Sequence, residues 1–134
     1  MNILADTHIL IWLLRDDDKL PSAAKEYILS KNNEIYYSMV SVWEVAMKHK
    51  AHADQMNLTA DIFNEFCQKA GYIRLDGLVE HVLTLKSLKT KTGVTEHKDP
   101  FDRLLVAQAK YENMVFLTHD GKMKNFDEDC IVTV

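Results

Sequence analysis

NILADTHILIWLLR, residues Asn2 to Arg15, decides the fold. Ile3-Leu4-Ala5 is a short, wholly apolar run that ends at Asp6, as expected of a strand buried in the middle of a sheet. From Thr7 to Arg15 the apolar positions Ile9, Leu10, Trp12, Leu13 and Leu14 suit a largely buried helix, which the acidic turn Arg15-Asp16-Asp17-Asp18 closes. A buried strand running straight into a buried helix is the first half of a β-α-β unit.

The same alternation continues along the chain. A helix runs from Pro21 and Ser22 to about Ser30, Asn32-Asn33 makes a turn, and Glu34 to Ser38 has the β-branched and aromatic content of a second strand. Ser41 to Lys50 is a helix with Val42, Val45 and Ala46 on one face. Leu58 to Ala70 is another, built on Ile62, Phe63 and Phe66 and closed by Gly71. Tyr72 to Leu75 is a third strand, and a helix near Val79 to Leu88 precedes the polar stretch Lys89 to Lys98, the one long loop. The helix from Pro100 to about Glu112 leads to a fourth strand, Met114 to Leu117, and Cys130 to Val134 can supply a fifth. The pattern predicts one α/β domain over residues 1–134: a central, mainly parallel sheet of four to five short strands, covered by helices on both faces in three layers. In such a sheet, ligands bind outside the carboxyl ends of the strands, where the strand order reverses.

Composition narrows the function. With 134 residues and 47% apolar content the chain can bury a core without disulfides or metals. No apolar run approaches the roughly 18 residues of a membrane span. Neither a basic region nor a small-residue cleavage site opens the chain, so a cytoplasmic location is expected. Cys67 and Cys130 stand in no metal-ligand spacing and are expected as buried free thiols. A net charge of −4 speaks against a simple nucleic-acid-binding module, though not against an enzyme that bridges its acids to phosphates through a metal.

Three of the four acids fall where that metal would sit, and the fourth, Asp102, stands in a helical first turn that the pattern allows at either end of the sheet. Asp6 follows the first strand, Asp120 comes just past the fourth, and Glu44 is expected in the first turn of the helix after the second. Asp102 opens the helix that feeds the fourth. Each has a local role as well: Asp6 as a helix cap, Ser41-Val42-Trp43-Glu44 as a capping box, Asp99 or Asp102 as caps beside Pro100, and Asp120-Gly121 as a turn. Capping does not require that nearly every strand end contribute an acid. Four clustered carboxylates repel one another and raise each other's pKa unless a cation neutralises them, and a hard divalent ion with oxygen ligands answers that need.

The ordered set L-A-D-T-H at the N-terminus, S-V-W-E in the middle, D-P-F-D-R-L-L-V-A-Q-A later and L-T-H-D near the end resembles the PIN-domain nucleases, over essentially the whole chain. The likeness is nearest to the branch that contains the VapC-type toxins of bacterial toxin–antitoxin systems. It implies a divalent-metal-dependent ribonuclease that hydrolyses RNA phosphodiester bonds with one or two Mg²⁺ or Mn²⁺ ions. Carried onto this chain, the family's metal-binding and catalytic acids fall on Asp6, Glu44, Asp102 and Asp120. Asp6 and Asp102 are expected to touch the metal directly, and Glu44 and Asp120 to act through water. Asp99 lies outside that quartet and is the better N-cap. Thr7 and Thr118 offer hydroxyls beside the acids. The resemblance further implies a homodimer and a small antitoxin whose C-terminal segment crosses the crevice and places an arginine or lysine among the four acids.

Other residues carry less. His8, His97 and His119 neighbour the acids in no zinc spacing and are expected to be solvated or hydrogen-bonded. Arg103 could contact a phosphate or a partner, or pair with a nearby acid. The tryptophans Trp12 and Trp43 are expected in the core, and Tyr36 and Tyr37 could stack bases. Lys86, Lys89, Lys91 and Lys98 could form a basic rim or a solvated face. Two alternatives remain open: an inactive PIN-type scaffold that binds RNA or protein, and a receiver-like phosphoacceptor domain. The latter normally carries a lysine where this chain has Thr118-His119-Asp120. A haloacid-dehalogenase phosphatase needs a second aspartate where His8 stands.

Overall fold

The computed structural model describes residues 1–134. In chain order the elements are β1 Asn2–Ala5, α1 Thr7–Arg15, α2 Ser22–Leu29, β2 Glu34–Ser38, α3 Met39–Ala51, α4 Ala60–Lys69 and β3 Ile73–Leu75. They continue with α5 Val79–Thr84, α6 Pro100–Glu112, β4 Val115–Thr118 and β5 Ile131–Thr133. Single 3₁₀ turns follow α5 at Leu85–Ser87 and β4 at Gly121–Asn125, so the expected helix to Leu88 is broken near its middle.

All five strands are parallel, in the order β3-β2-β1-β4-β5. β1 is central, with Leu4 opposite Tyr36 on one side and Phe116 on the other. Because side chains alternate across a strand, Ile3 and Ala5 join Ile9, Leu10, Ala24 and Phe63 on one face of the sheet. Leu4 joins Leu105, Val106, Ala109 and Phe116 on the other. The chain steps outward from β1 to β2 and β3, then returns to place β4 on the opposite side of β1. With crossovers of one hand, that reversal carries α6 to the face opposite α1 and α4. The crevice of a parallel sheet therefore opens between the carboxyl ends of β1 and β4.

Local chemistry sets the element ends. Asp16 and Asn113 take left-handed backbone (φ 50° and 56°) to stop α1 and α6, a conformation their short polar side chains tolerate. Gly71 (φ 83°) ends α4 in a Schellman turn, with the Tyr72 amide donating to the Cys67 carbonyl and the Gly71 amide to that of Gln68. Cys67 is buried, Cys130 is half-buried, and both are free thiols. No helix is long and apolar enough to cross a membrane.

α3 begins earlier than the Ser41 start that the sequence suggests. Ser38 is its N-cap, accepting from the Val40 amide, and the Ser38 hydroxyl also donates to Gln108 Oε1 on α6 at 2.5 Å. Gln108 in turn lies 3.3 Å from Nδ1 of the buried His81 on α5. This buried polar chain ties the head of α3 to α6, and so fixes the distance between the two helices that carry Glu44 and Asp102.

Candidate active site

The site is assembled from four separate parts of the chain. Asp6 stands at the end of β1, where its amide still donates to the Leu117 carbonyl of β4. Its Oδ1 accepts from the Thr7 amide (2.7 Å) and its Oδ2 from the Thr118 hydroxyl (2.7 Å), so one carboxylate bridges both central strand ends. The Thr118 hydroxyl accepts from the Asp120 amide, which turns the chain after β4 back toward the crevice. Glu44 lies in the second turn of α3 rather than the first, because Ser38 has taken the cap. Its Oε1 accepts from the Thr7 hydroxyl at 2.7 Å, and that hydroxyl is 2.8 Å from Ser41 Oγ. The Ser41–Glu44 capping box is thus not formed, and both side chains reach across to Thr7 instead.

Asp99 caps α6: its Oδ1 accepts from the Asp102 amide (3.0 Å), with Pro100 at the first helical position. The Asp102 carboxyl faces the crevice, and its Oδ2 is 2.7 Å from His97 Nε2. The crevice, of about 270 Å³, is lined by Asp6, Thr7, His8, Ile11, Glu44, Lys48, Met56, His97, Asp99, Asp102, Asp120 and Lys122. Five carboxylates thus face two lysines. The four acids singled out in the sequence meet here, and Asp99 joins them at the edge.

Burial governs the electrostatics. Desolvation pushes the Asp6 carboxyl from 3.8 to about 7; the bonds from Thr118 and Thr7 oppose the shift, and the charges of Glu44 and Asp120 add to it. Asp102 is pushed to about 6 by the same desolvation, countered by His97 and reinforced by Asp6, Asp99 and Glu44. Burial lowers the His8 imidazole against the pull of Asp120, Asp102 and Glu44. Burial also works against the Lys48 ammonium, but the Glu44 carboxylate 2.5 Å away, with Asp99 and Asp102 behind it, outweighs burial and holds Lys48 above its ordinary value.

Three lining residues had not been singled out for this role. Lys48 is one turn beyond Glu44, an i,i+4 spacing that a search for ion pairs on the α3 helix would have found. Lys122 follows the Asp120 turn. His97 is hydrogen-bonded, as expected of the histidines, but its partner is Asp102 itself, and its nitrogen with carboxylate oxygens of Asp102 and Asp120 forms a group lying within 4.8 Å of one another.

Arg103 turns away from the crevice: it pairs with Glu96 at 3.3 Å, donates to the His97 carbonyl, and sits over the Phe126 ring. Trp43 departs from the expected core position. It is 46% exposed on the outer side of α3, with its ring edge-to-face against Phe101. Trp12 is half-buried, edge-on to His8 and His119. Tyr37 is fully buried with its hydroxyl donating to Asn64, which removes it from base stacking, and Tyr36 packs against the second core cluster. Of the four lysines around the long loop, Lys98 borders a second cavity beside the crevice with Lys122, and Lys91 borders a third with Lys124.

The family model of the PIN domain matches residues 3–129. No curated protein sequence matches the chain. Among solved structures, that of VapBC2 from Rickettsia felis bound to a DNA fragment from their promoter contains a similar chain, with a TM-score of 0.67 and 18% sequence identity, covering 100% of this chain and 98% of that one. The likeness extends over the whole sheet and both helical layers.

Proposed function

The chain belongs to the PIN-domain family, and from that premise we propose that it is a divalent-metal-dependent endoribonuclease, the toxin of a type II toxin–antitoxin pair. The observation that carries the reading is the convergence of Asp6, Glu44, Asp102 and Asp120 at the β1/β4 crevice, with two of them driven toward protonation by burial and mutual repulsion. A donor set of carboxylate oxygens backed by threonine hydroxyls fits a hard cation such as Mg²⁺ or Mn²⁺, one or two ions. When bound, such an ion lowers the pKa of an attacking water and offsets the charge that gathers on the phosphoryl oxygens.

The chain's own residues supply the rest. Asp6 and Asp102 hold the cation. Glu44 and Asp120 would orient water around it. Thr118 and Thr7 keep Asp6 and Glu44 in place by hydrogen bonds to Asp6 Oδ2 and Glu44 Oε1. Asp99 keeps the first turn of α6 formed so that Asp102 points inward. Lys48 and Lys122 provide the positive charge that an otherwise acidic crevice needs to admit a phosphate backbone. The receiver-like alternative finds no support in the family match.

The partner reading rests on the same charge balance. Lys48 already offers its ammonium to Glu44, and an arginine or lysine from an antitoxin segment would do the same for Asp6 and Asp102. The similar R. felis chain was solved as VapBC2 on promoter DNA, which supports an antitoxin partner here; the toxin as a homodimer is part of the same proposal and rests on the family resemblance alone. The test is co-purification from the native host followed by excess Mg²⁺. A co-eluting small protein that suppresses RNA cleavage is expected; a lone, constitutively active protein whose expression leaves growth unaffected would contradict the toxin assignment.

A further inference from the structure

We propose that His97 is a nitrogen ligand of the crevice, completing with Asp102 and Asp120 a site for a first-row transition ion that is bound ahead of Mg²⁺. The inference rests on the metal-site reading above and departs from it in two ways: it adds a nitrogen to the all-oxygen quartet, and it makes Asp120 a direct ligand. A His97 ring nitrogen, an Asp102 oxygen and an Asp120 oxygen all lie within 4.8 Å of one another. The 2.7 Å between His97 Nε2 and Asp102 Oδ2 is near the roughly 3 Å that separates adjacent ligands on an octahedral ion with bonds of about 2.1 Å.

Burial, a ring contact and a main-chain bond fix the residue. Its side chain is 10% exposed, its edge packs against Phe126, and its main-chain carbonyl is gripped by Arg103 Nη1 at 3.0 Å. The neighbouring histidines are placed differently. His8 Nδ1 stands 3.6 Å from Asp6 Oδ2 with its ring against Trp12, and His119 Nδ1 is tied to the main-chain oxygen of Val134. An imidazole nitrogen among carboxylates raises affinity for transition ions along the Irving–Williams order and does little for Mg²⁺, whose preferred ligands are oxygens. Arg103 then has a definite job: it positions the loop that presents His97.

The probe is Mn²⁺ alone, followed by pulsed electron paramagnetic resonance and by competition with Mg²⁺. In the wild-type chain a directly bound ¹⁴N coupling is expected, retained in His8→Gln and lost in His97→Gln. Mn²⁺ affinity should fall at least about tenfold in His97→Gln while Mg²⁺ affinity changes less than about threefold. If His97→Gln folds poorly, a wild-type coupling that is retained in both His8→Gln and His119→Gln assigns the nitrogen to His97, and one lost in either variant overturns the assignment. Mn²⁺ bound without nitrogen coupling overturns the assignment and leaves His97 as a hydrogen-bond partner of Asp102. So does a coupling that survives His97→Gln. Failure of the wild-type chain to bind either ion overturns the metal reading itself, a different result from the loss of the nitrogen alone.

Discussion

Asp6 and Glu44 on the floor of the crevice are 2% and 5% exposed, whereas Asp99 at its rim lies in solvent and Asp102 and Asp120 are only half-covered. The floor acids have every oxygen engaged: Asp6 by Thr7 and Thr118, Glu44 by Thr7 and Lys48. Rim acids spend theirs on backbone, Asp99 on the amide of Asp102 and Asp120 on that of Lys122. A rim acid is explained by the helix or turn it starts. A floor acid is not, since burying a carboxylate costs far more than a cap returns, and only a cation makes the arrangement favourable in its charged form. Asp102 stands between the two: it opens α6, yet its carboxyl turns inward and shares the electrostatic penalty of the floor.

The largest expected effect tests which side of that line Asp102 is on. Asp102→Asn should abolish RNA cleavage while the melting temperature holds or rises, because the amide oxygen still accepts from His97 and one of several repelling charges is gone. Full activity of Asp102→Asn with both Mg²⁺ and Mn²⁺ would move Asp102 to the rim group.

The next effect is on stability against pH. In the folded chain Asp6 releases its proton at about 7 rather than 3.8, so between those values the folded state holds more protons than the unfolded one. Stability from this group is therefore greatest at low pH and falls as pH rises from about 4 through 7. Metal-free protein should show this loss between pH 5 and 7.5 as a drop of several degrees in melting temperature. Asp102, raised to about 6, contributes in the same direction. Asp6→Asn should flatten the profile, and saturating Mg²⁺ or Mn²⁺ should remove most of it. An identical profile in wild type and Asp6→Asn would show that the floor carries no such strain.

The smallest effect belongs to the rim. Asp99→Ala should cost about 1 kcal/mol as a lost N-cap, and Asp99→Asn or Asp99→Ser should restore most of it. Abolished cleavage by Asp99→Ser at an unchanged melting temperature would place Asp99 among the ligands.

The same contrast explains what was legible in the sequence. Asp6 could be placed because strand, acid and helix follow one another within a few residues, whereas the reversal of strand order that makes its position matter comes from the pairing of β4 with β1, which no local pattern encodes. Asp99-Pro100 announced its cap for the same local reason. Glu44 was assigned to the right crevice by the wrong turn: Ser41-x-x-Glu44 has the spacing of a capping box, but the true cap, Ser38, is chosen by its bond to Gln108, which lies 70 residues away. His97 was passed over because it sits in an aperiodic polar loop, whose path is set by contacts that no local pattern encodes: Arg103 on its carbonyl, the Lys91 amide on Asn125, and the Thr90 bridge to Phe126. Trp43 was expected inside because of its type, and its exposure depends on how far α6 covers α3.

The most direct test of the whole account is cleavage of a mixed RNA pool by the purified chain in excess chelator, in Mg²⁺ and in Mn²⁺, with Asp6→Asn alongside. The account predicts cleavage only with a divalent ion present and none by Asp6→Asn under any condition. Cleavage that persists in chelator, or a folded wild-type chain that leaves every RNA intact with both ions, would contradict it.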